Sequence, residues 1–242
     1  MSVSNFPKIV VKPAQCPSCG KYFDYALYPE IRIPGDNKLK KKVLNRDLFF
    51  PKCPSCGEVF KLRASCMYRN DDRREMFIVT DAKEGELEKL MKTDDLTFND
   101  IMTEEEASAF LAGLLKRRIV YDVDSFREKI MLSDYNYDDR IIELMKLSLS
   151  KILEKDVNAP VYRIFLEETS GNNLHFTAIM GSRPPFEYIN VRTQAKGYNY
   201  FRDKYIDKLG KPEADEYIST DQKWAKESGL LEDEDPGFMV QI

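Results

Sequence analysis

The chain has 242 residues, 43% of them hydrophobic and 32% charged, with one histidine and a formal net charge of −4. That balance is ordinary for a globular protein and excludes a collagen-like, low-complexity or wholly disordered chain. The lone His175 excludes a zinc enzyme built on two or three imidazoles and any paired-histidine acid–base site. No apolar stretch approaches the roughly 18 residues of a membrane span. Residues 1–15 lack an apolar core of signal-peptide length, so a cytoplasmic protein with no membrane contact is expected.

Charge is unevenly placed. Residues 1–74 hold 15 Lys and Arg against 7 Asp and Glu, whereas residues 75–242 hold 22 against 34. Either a basic working face on an acidic body or two parts that neutralise each other would produce this asymmetry.

Along the chain, the first feature is Cys16-Pro-Ser-Cys19-Gly20, and the same five-residue word returns as Cys53-Pro-Ser-Cys56-Gly57. Cys-x2-Cys is the reach of a knuckle that offers two thiolates to one ion. Two knuckles make a closed four-cysteine site, with Zn–S distances of about 2.3 Å. Proline stiffens each turn, and the following glycine permits a positive φ that aims backbone N–H groups at the sulfurs. One structural Zn²⁺ on Cys16, Cys19, Cys53 and Cys56 is therefore expected. Iron would fit the same four thiolates. A redox Cys-x-x-Cys would stand alone and open a helix. Cys66 sits among Leu62, Ala64 and Met67 and reads as a small core residue of a strand.

Each knuckle leads into an extended run, Tyr22–Tyr28 after the first and Val59–Ala64 after the second. Phe23 and Phe60 stand at the same offset from their knuckles and are expected to pack beneath the metal site. Between the knuckles lies a basic tract, Lys38, Lys40, Lys41 and Lys42 with Arg46. It reads as a loop projecting from a zinc ribbon and is the candidate contact for a partner or for nucleic acid. Asn70-Asp71-Asp72 is a turn, and Met76–Val79 returns as a strand.

These words resemble the bacterial and archaeal CpXC domain. The resemblance rests on the paired CPSC words and on Val43–Phe50 before the second knuckle. It rests also on Tyr68 followed by Met76-Phe77-Ile78, on Arg118-Ile119-Val120, on Arg127–Ile130 and on Asp138–Lys146. It covers about residues 14–150. It implies a metal site on the two cysteine pairs and an architecture, but no established activity.

Downstream, residues 83–92 and the capping box at Thr103-Glu104-Glu105-Glu106 read as helix starts. Ile119–Val123 reads as a strand, Ser125–Leu132 as a short helix, and Asp138–Glu154 as the longest helix, apolar over well more than one face. Asp139 and Glu143 are i,i+4 neighbours that would either hold a cation or complement the helix dipole. Tyr162–Glu168 and Leu174–Met180 form a hairpin around Ser170–Asn173; Phe186–Arg192 is a third strand and Gln194–Leu209 an aromatic helix. Residues 211–242 are charged, with Trp224 as the large anchor.

The fold class expected is α+β: a zinc-ribbon sheet, central helices, then an antiparallel sheet with a helix. The expected organisation is a CpXC-like domain over 1–156 (ribbon 8–82, helices 83–156), an α+β portion over 157–210 and an acidic tail over 211–242. No Walker loop, nucleophile elbow or dinucleotide fingerprint occurs, and no catalytic residue is assigned. The reading is a non-catalytic, zinc-stabilised module for a protein partner. The alternative is a nucleic-acid-binding or regulatory zinc ribbon using residues 38–46. An enzyme would need Arg183, His175 and Arg192 to converge on one pocket.

Overall fold

A computed structural model describes residues 9–63, 65–80, 113, 115–210, 218–231 and 240–241. The helix starts expected over 83–92 and at residue 103 lie outside these. The fold is α+β, and the chain divides into two compact units. Unit 1 comprises residues 1–127 with 213–218, and unit 2 residues 128–212 with 219–242.

In unit 1, strands β1 (Val10–Gln15) and β2 (Tyr22–Leu27) form an antiparallel ribbon across the first knuckle. Their register puts Ala14 opposite Phe23 and Lys12 opposite Tyr25 on one face, and Val11 opposite Ala26 on the other. Alternation does the sorting: Ala14 is buried, whereas Val11 is 61% exposed. The Tyr25 hydroxyl donates to the Leu48 carbonyl at 2.5 Å, which ties the ribbon to the chain entering the second knuckle.

The larger sheet of unit 1 has the order β3 (Glu30–Ile33), β4 (Cys66–Asn70), β5 (Glu75–Val79), β6 (Lys116–Val120). β4 and β5 are an antiparallel hairpin, while β3–β4 and β5–β6 are parallel. Tyr68 and Phe77 are cross-strand partners whose rings stack with centroids 5.6 Å apart. Such pairs are the stabilising unit of a sheet. Phe49 meets Phe126 edge-on at 6.1 Å and is buried with it.

The basic tract is not a loop. Asn37–Leu44 is a helix, α1, with Val43 buried and the Leu44 carbonyl accepting from Arg127 Nε at 2.7 Å. Lysine and leucine are good helix formers, and Leu39 and Val43 fall four apart on the inward side. Cys66 opens β4 and is buried, as a core residue should be. Among the described residues of the run after the second knuckle, 59–63, there is no strand. The run makes one bridge, Lys52 to Val59, and then Phe60 and Leu62 donate to the Pro51 and Phe49 carbonyls.

Helix α2 (Val123–Asp134) carries the boundary between the units. In unit 2, α3 (Asp139–Val157) begins at Asp138, whose side chain accepts from the Arg140 N–H, and ends at Asn158 with φ 55°. A cap at one end and a left-handed residue at the other delimit it. α3 is buried without a break from Asp139 to Ser150, as its all-round apolar composition predicts. It packs on β7 (Val161–Ser170), the edge strand of an antiparallel sheet that continues through β8 (Asn173–Met180), β9 (Glu187–Gln194) and β10 (Val240–Gln241). Leu174, Phe176, Ala178 and Met180 alternate inward along β8. Helices α4 (Ala195–Leu209) and α5 (Gln222–Glu227) also pack on α3. In α5 the buried residue is Ala225, with Trp224 half-buried.

Candidate metal centre

The two knuckles repeat each other in backbone as well as in sequence. In the first, Cys16 N–H donates to the Lys21 carbonyl at 3.0 Å and Gly20 N–H to the Cys16 carbonyl at 2.9 Å. In the second, Cys53 N–H donates to the Glu58 carbonyl at 2.7 Å and Gly57 N–H to the Cys53 carbonyl at 2.9 Å. Both turns close through a glycine at positive φ, 71° at Gly20 and 79° at Gly57. A Cβ at Gly20 would meet nothing within 4 Å, so backbone conformation and not space demands glycine there. Phe23 and Phe60 meet edge-on with ring centroids 6.1 Å apart. The equal offset of the two phenylalanines becomes a contact that joins the knuckles.

All four sulfurs lie within 4.8 Å of one another. Cys16 Sγ is 3.6 Å from Cys56 Sγ, and Cys19 Sγ is 3.7 Å from Cys53 Sγ. A tetrahedral ion with ligands at about 2.3 Å requires sulfurs about 3.8 Å apart, so the residues fit one ion between the knuckles. A disulfide would need about 2.05 Å. Cys16 and Cys53, the first cysteine of each word, are buried, while Cys19 and Cys56 face solvent.

Backbone donors prepare one thiol for ionisation. The Cys56 N–H acts most strongly on Cys53; with help from the Ser55 N–H, 3.4 Å from the sulfur, it outweighs burial and draws that thiol down to about 6. At Cys56 the Glu58 N–H pulls downward, but burial and the sulfurs of Cys16, Cys19 and Cys53 push the thiol up to about 12. Sulfurs this close cannot all shed their protons without a cation among them. Cys66 stands outside the cluster, and burial pushes its thiol up.

The basic residues are not one patch. Lys38, Lys41 and Lys42 are exposed, at i, i+3 and i+4 of α1, and so share one face. Lys40 is half-buried. Arg46 is held by Asp124 at 3.2 Å, which also binds Lys61 at 2.6 Å.

The carboxylates at the start of α3 sit where they complement the helix dipole, Asp138 at the cap and Asp139 in the first turn. The cation gripped by Asp139 and Glu143 is the ammonium of Lys129. Lys146 Nζ lies 2.8 Å from the same Glu143 oxygen and 2.9 Å from Glu128 Oε2. Sequence reasoning missed Lys129 and Lys146. The signal was present: charges at 139, 143 and 146 lie on one face of a helix too apolar to be exposed, so they needed buried partners.

Arg183, His175 and Arg192 do not converge. His175 and Arg192 are opposite each other on β8 and β9, and His175 Nε2 is 2.7 Å from the Ser170 hydroxyl. Arg183 lies past Met180, at the other end of β8. Five residues of strand separate His175 from that end, or about 16 Å.

A family model described as "CpXC protein" matches residues 14–146, more than half of the chain. The protein belongs to this family. The match takes in both cysteine words and every charged residue of the α2–α3 cluster. No curated protein and no solved structure matches. No helix among the described residues is long and apolar enough to cross a membrane.

Proposed function

We propose that the protein is a non-catalytic interaction module, in which one structural Zn²⁺ on Cys16, Cys19, Cys53 and Cys56 stiffens the ribbon and α1 engages a protein partner. Zinc suits a closed four-thiolate site because it has no redox chemistry to expose. Four reduced thiols also suit a reducing compartment such as the cytoplasm.

The observation that carries the reading is the face of α1. Lys38, Lys41 and Lys42 are exposed neighbours on one helix, an arrangement that costs a few tenths of a kcal/mol per like-charge pair. An anionic partner would offset that cost. Ile9, Val11 and Tyr22 are exposed on the ribbon, at 52%, 61% and 68%. Together these features suit an acidic protein segment that also carries apolar side chains.

Nucleic acid is the second reading, favoured by the same three lysines. Three phosphate contacts are few, since proteins with strongly salt-dependent nucleic-acid binding make roughly 6–10. The formal charge of −4 also opposes a polyanion over the whole chain.

The test is binding of an acidic, aromatic-containing peptide and of a single-stranded oligonucleotide to the zinc-loaded chain and its Lys38→Ala/Lys41→Ala/Lys42→Ala variant. The proposal expects the peptide to bind and to weaken roughly tenfold in the variant, the sum of three exposed ion pairs. Tighter binding of the oligonucleotide, with a salt slope lost in the variant, would select the second reading.

A further inference from the structure

The sheet of unit 2 has two long strands near its edges, and the two are finished differently. At β7 the edge is closed. Its register against β8 breaks between Val161 and Arg163 and again between Leu166 and Glu168. The Val161 N–H donates to Glu154 Oε1 at 3.0 Å and the Leu166 N–H to Glu128 Oε1 at 2.7 Å. Carboxylates thus occupy donors that a further strand would use. Irregular register and charge of this kind keep a sheet edge from pairing.

The far side of β9 lacks these devices. β8 and β9 pair without a break, from Asn173 opposite Gln194 to Met180 opposite Glu187. β10 pairs with Arg192 and Thr193; among the described residues no strand pairs with the outer edge of Glu187–Val191. That stretch reads Glu187-Tyr188-Ile189-Asn190-Val191. Tyr, Ile and Val favour strands, and no Lys, Gly or Pro interrupts them. The ladder fixes which backbone groups face out. The Leu166 N–H points away from β8, so Phe176 opposite it faces β9, and Val191 opposite Phe176 faces β8. The Ala195 N–H, in phase with Val191, accordingly donates to the Asn172 carbonyl at 2.8 Å. The N–H and C=O of Tyr188 and Asn190 therefore point to the open edge. Ile189 shares the inner face with Val191, yet it is half-buried where Val191 is buried.

We propose that this edge receives a second copy of the chain, the two β9 strands running antiparallel across a two-fold axis at Ile189. That register sets Tyr188 of each copy opposite Asn190 of the other. Both residues turn their backbone groups to the edge, so each such pair exchanges two hydrogen bonds and leaves none of those groups unmet. Ile189 meets its own counterpart as a close, non-hydrogen-bonded pair, which covers the side chain that the single copy leaves half-buried. Glu187 falls opposite Val191, so like charges do not meet. Neighbouring registers fail. Centring on Asn190 brings Tyr188 against Arg192, whose edge β10 already holds. Centring on Tyr188 brings Asn190 against Phe186, which lies outside β9. The interface is isologous and closes at two copies. A strand pair this short buries less than the roughly 1,000 Å² of a stable complex, so the dimer is reversible.

The experiment is sedimentation velocity of the zinc-loaded full chain over a concentration series from micromolar to millimolar, with amide hydrogen exchange read by NMR at both ends. The expected result is a reversible monomer–dimer equilibrium. The Tyr188 and Asn190 amides gain protection at least tenfold with concentration, while the Ile189 and Val191 amides, which face β8, do not change. Asn190→Pro removes an edge donor without touching the bonds to β8 and weakens the dimer at least tenfold at unchanged zinc content. Should that variant fail to fold, Ile189→Lys, which sets two ammoniums against each other at the axis, gives the same loss. A monomer throughout the series, a dimer whose Tyr188 and Asn190 amides still exchange freely, or a dimer equally tight in Asn190→Pro overturns the proposal. So does protection of those two amides already in the dilute monomer, which would mean that another segment fills the edge.

Discussion

The ribbon and α3 solve the same problem by opposite means. The ribbon has little to bury: of β1 and β2 together only Ala14 is buried, and the knuckles are turns with two of four cysteines exposed. Two short strands of this kind are marginal in water without a further tie, so cross-linking through the sulfurs must supply what a core does not. Helix α3 is covered over most of its length, yet it carries buried charge that only neighbouring charge makes tolerable. One region is held by a few strong bonds at one point. The other is held by many weak contacts and is vulnerable at a few polar ones.

The sharpest way to break this contrast is at the sulfurs. Cys16→Ser or Cys53→Ser should abolish tight metal binding and unfold the ribbon, since structural zinc contributes on the order of 10 kcal/mol. Metal analysis and the exchange of residues 10–27 check it, while the amides of α3 should keep their protection. Next comes Lys129→Met, which leaves Asp139 and Glu143 with one ammonium fewer. It should cost about 3–5 kcal/mol in denaturant unfolding and leave the metal content unchanged. Phe23→Ala should cost about 1–2 kcal/mol, because the ring is half-buried and loses its edge contact with Phe60. Asp138→Ala should cost about 1 kcal/mol through the lost cap. Gly20→Ala should cost a similar amount through its positive φ alone, read as weaker metal retention against a chelator. Thiol labelling sharpens the same comparison. With the metal chelated, Cys16, Cys19, Cys53 and Cys56 should alkylate while buried Cys66 stays protected until the β3–β6 sheet unfolds.

Much of this was legible in the residues. The repeated Cys-Pro-Ser-Cys-Gly word foretold the cluster and the shared turn geometry, because identical local sequence imposes identical local backbone; the equal offset of Phe23 and Phe60 was legible, and their contact with each other is what the structure adds. The hairpin around Ser170–Asn173 and the long buried helix were legible from period and punctuation. The α1 helix was hidden because four lysines in five residues look like a solvated loop, and only Leu39 and Val43 report the inward side. The charge cluster was hidden for a different reason. Glu128, Lys129, Asp139, Glu143 and Lys146 are drawn from two helices, so their pairing is a fact of packing and not of spacing. A parallel sheet built from β3 and β4, separated by a helix and a knuckle, is non-local in the same way.

The most direct test of the central claim is metal content by native mass spectrometry of the gently purified full chain, repeated after addition of a strong chelator. The account predicts one zinc per chain, lost together with the ribbon's exchange protection, and protection in α3 that persists. A metal-free chain with a fully protected ribbon, or two Cys-x-x-Cys disulfides in place of the ion, would contradict it.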